Sequence, residues 1–439
     1  MTRRPTWLWL VAVAVACLLP SAAGAQGSDK LGLVVPHLFG TSGLTVDSDA
    51  RLPTGETHSG HFNNAFQSNF TQFNTALASQ LTSVPLPSPA GGFTYTFDAS
   101  LGTFKRTTES FGPILAERSE TLGKKKFAFG VSYQSFSFDT IEGMDLEAIP
   151  AVFTHDNPVA GTGRDDLVTT VNSIRASTSQ FTAFLTYGLS DHIDVSFALP
   201  IVDAELSAVS EATVRRIGTS SNTLVHYFRD ANGERGSTQQ FRSSGSATGI
   251  GDVLLRVKAS AVRGLAVGAD VRLPTGDEEN LLGSGTLGVR PFLALSHSAK
   301  AGQRMLAPHL NVGYQWNGDS VVAGDIALGV KGNLPDQITY TAGFDFGLNK
   351  QLTLAVDLLG RTVIDSQRLS PVSFRALNGT STFDDIQFEQ ASFSVLDGAV
   401  GLKVNGGGNF LLDFNLLFKL NDAGLRDKVV PMVGGEFSF

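Results

Sequence analysis

The chain has 439 residues, a net charge of −8 and only 17% charged side chains. That acidic balance presents no basic surface, so no nucleic-acid partner is expected. Glycine at 47 residues and phenylalanine at 31 suit many short turns and a broad apolar surface.

The first element reads as an export signal over 1–25. Arg3 and Arg4 precede an apolar run from Trp7 to Leu19, and Ala23-Gly24-Ala25 has the small residues of a cleavage site. Cleavage there removes Cys17, the single cysteine, and leaves a chain without disulfides. Beyond it no apolar stretch reaches the roughly 20 residues of a transmembrane helix. Any membrane crossing is therefore expected to be made by strands.

Residues 26–123 read as an N-terminal plug or hatch region. Phe62, Phe66, Phe70, Phe73, Leu77 and Leu81 recur at helical spacing, which predicts an amphipathic helix over 61–83. Its apolar face either packs as a plug or lines an apolar ligand site. A Pro-rich connector at 85–90 follows, then a hairpin from 93–97 and 102–107 and a short helix over 113–121.

From 124 to 439 the period changes to two. A lipid-exposed strand needs apolar residues at alternate positions over about 9–11 residues. Phe127, Phe129, Val131 and Tyr133 begin the pattern, which slips to Phe136 and Phe138 as though a bulge lay at Gln134-Ser135. Alternation continues through strands beginning near 181, 193, 253, 265, 287, 306, 338, 352, 398, 410 and 429, which makes about twelve. The 93–107 hairpin would raise the count to fourteen. The expectation is an all-β fold, an antiparallel transmembrane β-barrel of 12–14 strands in the outer membrane of a Gram-negative cell.

With the C-terminus on the periplasmic side, the turns at 188–191, 262–264, 299–302, 347–350 and 405–409 fall on one face. The long connections 139–165, 217–240, 274–284, 317–336, 364–390 and 421–427 fall on the other, provided 321–332 does not span. Short turns inside and long loops outside are what such barrels use. Phe439, the last residue of an alternating strand, resembles the sorting signal read by the barrel-insertion machinery.

Gly249-Ile250-Gly251-Asp252 opens one strand, Arg272-Leu273-Pro274-Thr275-Gly276-Asp277 ends the next, and Gly283-Ser284-Gly285 opens a third. This set resembles the outer-membrane channels grouped under the MetA pathway of phenol degradation, related to the long-chain fatty-acid and aromatic-hydrocarbon transporters. The resemblance implies passive uptake of small hydrophobic or aromatic molecules past an N-terminal hatch.

The inward parity carries the polar candidates: Asp252, Arg256, Lys258, Asp270, Arg272, Arg290, His309, Asn311, Asp345, Asp357, Arg361, Lys403, Asp413, Asn415 and Lys419. A lipid-facing Arg or Lys costs about 2–4 kcal/mol at the bilayer midplane, so inward placement is forced whatever these residues do. They either brace the wall as cross-strand ion pairs or set a constriction. The eight histidines show no metal-ligand spacing, so neither metal nor cofactor is expected. No enzyme activity is expected either, because a barrel phospholipase needs its nucleophile on the lipid face and His309 and Asn311 point inward. Partners are outer-membrane lipid and lipopolysaccharide, which Asp277, Glu278 and Glu279 could bridge through a cation, together with a small hydrophobic ligand. The rival function is a surface structural or adhesion barrel with a sealed lumen.

Overall fold

The computed structural model describes residues 30–51, 55, 60–63, 72–73, 75–78, 80, 92–98, 103–106, 110–155, 166–217, 225–301 and 304–439. The expected signal peptide, and Phe66, Phe70 and Leu81 of the expected helix, lie outside them.

Twelve antiparallel strands close into a barrel. They are β1 (Phe127–Phe138), β2 (Asp166–Gly188), β3 (Ile193–Arg216), β4 (Thr238–Ile250 continued by Leu254–Val262), β5 (Leu265–Arg272) and β6 (Gly288–Ser296). The ring continues with β7 (Arg304–Asn317), β8 (Gln337–Gly347), β9 (Leu352–Arg375), β10 (Thr382–Gly407), β11 (Phe410–Lys419) and β12 (Val429–Ser438). Each pairs with its sequence neighbour, and β12 pairs with β1 through Val433 opposite Tyr133 and Phe437 opposite Phe129. Phe127 and Phe439 exchange two backbone hydrogen bonds of 2.8 Å across that seam. Closure leaves the wall without a free edge in the bilayer.

Every strand puts a large apolar side chain on the outside. Phe129, Leu185, Phe197, Leu255, Val267, Leu293, Val312, Phe344, Leu358, Val400, Leu416 and Val433, one from each strand in order, are all at least 38% exposed. Register lines them up, with Phe129 opposite Leu185, Leu185 opposite Phe197 and Phe197 opposite Leu255. An apolar belt around a closed ring is stable only in hydrocarbon, and the protein is an outer-membrane barrel. Trp316, 52% exposed beside Tyr314, sits where an aromatic girdle belongs.

Several expectations are corrected. The hairpin Tyr95–Asp98 with Thr103–Arg106 forms its own sheet, so the barrel has twelve strands and not fourteen. Residues 110–122 are irregular rather than helical. The helix over 61–83 starts later: Gly60–Asn63 is a strand paired with Thr45–Val46 and Ile149–His155, and helical conformation is seen at 72–73, 75–78 and 80. Sheet edges offered by other segments override the local spacing around Phe62. The connection at 364–390 is mostly strand, because β9 and β10 run for 24 and 26 residues and turn at 376–381. The upper part of β4 likewise takes up 238–240. No bulge interrupts β1, whose register to β2 is regular from Phe127 to Phe138. Phe136 and Phe138 share the inward parity, so the change of phase marks an apolar patch of lumen.

The N-terminal region meets both ends of the barrel. Lys30 pairs with Asp277 at 3.5 Å, Asp47 bridges Tyr227, Thr75 Oγ1 donates to the Gly324 carbonyl at 3.0 Å, and the Leu425 amide donates to Gln80 Oε1 at 2.6 Å. All these partners lie in long connections. Leu31, Val35, Leu44, Phe62, Phe73 and Leu77 are buried there in one core with Val202, Leu206, Leu369 and Ile386 of the strand extensions. A hydrogen bond from the Tyr227 hydroxyl, with help from Arg235 and Arg229, holds the Asp49 carboxyl below its ordinary value against desolvation. Residues 92–126 contact the opposite end: the Gly92 amide donates to the Glu436 carboxylate, and the Lys124 amide to Asp191 at 3.2 Å. We call the described residues between 30 and 80 the cap and residues 110–122 the strap.

Long connections lie outside in such barrels, so the cap is expected to face the cell exterior and the start of β1 the periplasm. In a Cys17→Ala background, a membrane-impermeant maleimide applied to intact cells should label Ser42→Cys, in the cap. It should label His192→Cys, in a short turn, only after the outer membrane is permeabilised. Labelling in the reverse order would invert the orientation.

Candidate functional site

The strap crosses the lumen in the half nearer the short turns. Its backbone has no sheet partner, and a backbone group inside a closed wall must find one. Lumen side chains supply it. Thr353 Oγ1 accepts from the Phe111 amide at 3.2 Å, and Lys403 Nζ donates to the Phe111 and Pro113 carbonyls at 3.2 and 2.6 Å. Asn311 accepts from the Glu117 amide at 2.6 Å and donates back to its carbonyl at 2.8 Å. Ser119 and Ser296 bond through their hydroxyls at 2.7 Å, and Asp194 accepts from the Leu122 amide at 2.9 Å.

Glu117 is the ionic anchor. Its carboxylate, 9% exposed, meets Arg256 directly and Lys258 at 3.4 Å. Arg256 also forks onto Asp270 at 2.6 and 2.8 Å, and Arg290 reaches the same carboxylate at 2.5 Å. The register puts Arg256 opposite Asp270 and Asp270 opposite Arg290. The three form a ladder across β4, β5 and β6 that ends on the strap. A second cluster lies beyond it, where His309 Nε2 is 2.5 Å from Asp357 and Nδ1 is 3.9 Å from Asp345.

Asp252 does different work. It accepts from the Gly276 amide at 3.1 Å and from the Ser284 amide and hydroxyl at 2.7 and 2.5 Å, which folds the 273–287 loop inward. The motif glycines permit this: a Cβ on Gly283 would lie 2.4 Å from Asp252 Oδ1, and one on Gly276 would lie 2.7 Å from the Gly283 Cα. The bend sets Leu281 at φ +58°, a conformation costly for a branched side chain, and buries Leu281 and Leu282 over the lumen.

Between strap and loop remains a chamber of about 300 Å³. Its apolar side is built by Leu115 with Phe136, Phe138, Leu359, Leu417 and Val430. Its polar side carries Arg256, Asp270, Arg272, Arg290 and Gln315, and Arg361, Lys419 and Asp397 also line it. Asn415 and Asp413 share the inward parity of β11 with Leu411 and Leu417. Of the expected plug face, Phe62, Phe73 and Leu77 are fully buried in the cap, away from the chamber.

Sequence reasoning passed over Glu117, Asp194, Glu436 and Arg426. Asp194 and Glu436 were open to the same parity argument, lying between outward residues of β3 and β12. Glu117 and Arg426 lie outside the alternating strands and carry no periodic signal. Among the described residues no cluster could hold a metal.

The sequence profile of the family described as "Putative MetA-pathway of phenol degradation" matches residues 156–362, which take in the Asp252 loop and the ladder. No curated protein matches in sequence. Similar solved structures include the COG4313 outer membrane channel from Pseudomonas putida F1, at 14% identity and TM-score 0.39, covering 73% of this chain and 98% of that one. A P. putida toluene transporter, TodX, has 9% identity and TM-score 0.30 over 72% and 89% of the two chains. A Pseudomonas aeruginosa FadL homologue gives the same figures.

Removing one member of a buried ion pair costs about 3–5 kcal/mol. Glu117→Gln should therefore loosen the strap while the barrel stays closed. Arg118, only 5% exposed, should then be cut by trypsin in the Glu117→Gln protein and not in the parent, while the protein keeps the heat-modifiable gel mobility of a folded barrel. An unchanged digest would show that Glu117 does not hold the strap.

Proposed function

We propose that this barrel is an outer-membrane channel for passive uptake of small hydrophobic or aromatic compounds. The observation that carries the reading is the chamber between strap and loop, about 300 Å³ in volume, with an apolar patch of Leu115, Phe136, Phe138, Leu359, Leu417 and Val430 among its charged lining. Ligand sites commonly start near that size, with an apolar lining and a few polar groups. The profile match over 156–362 supports the same reading through the family's description. The strap buries fewer apolar side chains than the cap and is held largely by hydrogen bonds and one ionic anchor, so it is the part that would move to let a solute pass. No energy source and no covalent step are needed.

A second reading, a surface structural or adhesion barrel with a sealed lumen, has its own support. The cap closes the outer end and the strap crosses the inner one.

Intact Gram-negative cells decide between them, because their lipopolysaccharide leaflet slows apolar solutes. Cells producing the protein should take up radiolabelled toluene at low concentration several-fold faster than cells without it, and deletion of 27–90 should raise the rate further. Equal uptake in all three strains would leave the sealed barrel standing.

A further inference from the structure

We infer that the chamber is a binding site for an aromatic carboxylate, a ring carrying one planar anionic head, in preference to a plain hydrocarbon. The inference rests on the channel reading and specifies its substrate class.

Two walls of opposite chemistry carry it. In the closed ring of twelve strands, β5 and β6 stand half a turn from β11 and β12. Phe136, Leu417 and Val430 form an apolar cluster on the second side, with Leu115 and Leu359 packed against it. The cluster can take a ring, while Arg361, Asp397 and Lys419 line the same chamber nearby. The wall across from it holds Arg272 and Arg290.

These guanidiniums are under-supplied with acceptors. Asp270 serves both Arg256 and Arg290, and Arg256 has Glu117 besides, so Arg290 depends on a shared carboxylate. Arg272 has Asp252 at 3.6 Å and one hydrogen bond, to Asn317 at 2.8 Å. Its Nε, the atom that faces Asp252 at 3.6 Å, is buried and makes no hydrogen bond among the described residues. Asp252 is itself occupied by the 273–287 loop. A buried donor without an acceptor is costly and uncommon, and a planar oxyanion is the group whose geometry fits a guanidinium fork.

Size agrees. An apolar cavity of roughly 150 Å³ holds benzene, and this chamber has about twice that volume, about 300 Å³. Arg290 is the accessible member, its side chain 30% exposed, while Arg272 is mostly buried. The head therefore meets Arg290, with the more buried Arg272 beside it.

Isothermal titration of the purified full-length protein in detergent tests this at constant ionic strength, with benzoate, toluene, benzylamine and acetate as probes. Benzoate should bind at least ten-fold more tightly than toluene, with no saturable binding of benzylamine or acetate. Arg290→Gln should abolish the preference for benzoate over toluene. Heat-modifiable mobility confirms that the variant folds, and Arg272→Gln is the second variant. Toluene binding as tightly as benzoate would overturn the head-group assignment, and acetate binding as tightly would reduce the site to a bare anion site. An unchanged preference in both variants, or no binding of any probe, would overturn the inference as well. The channel reading fails separately, on equal cellular uptake of toluene.

Discussion

The structure depends on one constraint: a wall surrounded by hydrocarbon cannot leave a backbone polar group unpaired, so it must close on itself. Closure is made at the β12–β1 seam, where Phe439 and Phe127 exchange backbone hydrogen bonds. Closure turns every second side chain outward, where only apolar groups are tolerated. The polar half of each strand is then collected in one lumen.

What that lumen does with its charges follows from the same constraint. The strap brings irregular backbone into a closed space, and apart from the Leu122 carbonyl, which accepts from the Tyr95 amide at 3.1 Å, its amides and carbonyls are answered largely by side chains. Asn311, Lys403, Thr353 and Asp194 answer them. The Arg256–Asp270–Arg290 ladder is thus both a brace across three strands and the seat of Glu117. Bracing and holding the strap are one task, since a ladder that ends on a movable carboxylate is incomplete when that carboxylate leaves.

Much of this was legible in the sequence, because period two is a local signal. The twelve strands, the outward Phe129, Leu255 and Leu416, and the inward Asp270 and Lys403 follow from alternation alone. The glycines around Asp252 stood out as a motif, but their purpose needed three segments brought together. Phe136 and Phe138 show where local reading fails. Apolar residues on the inward parity look like a slipped strand unless the lumen itself is apolar there. The cap was hidden for a related reason. Phe62 keeps helical spacing with Phe73 and Leu77, yet it pairs with the Ile149–His155 strand, and no local pattern announces a partner so distant in sequence. Strand length also escaped, because β9 and β10 continue past the bilayer, where neither face has to be apolar.

The two closures differ in what holds them, and the difference decides which of them can yield. The cap contributes twelve buried apolar side chains to one core. At about 1.5–3 kcal/mol for each fully buried large side chain, and less for its alanines, lifting it would cost well over 10 kcal/mol. The strap buries fewer, chiefly Phe111, Ile114 and Leu122, and is held besides by hydrogen bonds, each worth about 1 kcal/mol net, and by the Glu117 anchor. Water or a polar solute group entering the lumen can replace those bonds one at a time, and nothing comparable can replace buried hydrocarbon contact. A solute with an anionic head would reach the ladder at Arg290, whose Asp270 partner also holds the Arg256 on which Glu117 rests. The strap is therefore coupled to the chamber through the ladder, while the cap keeps its place on the outer surface.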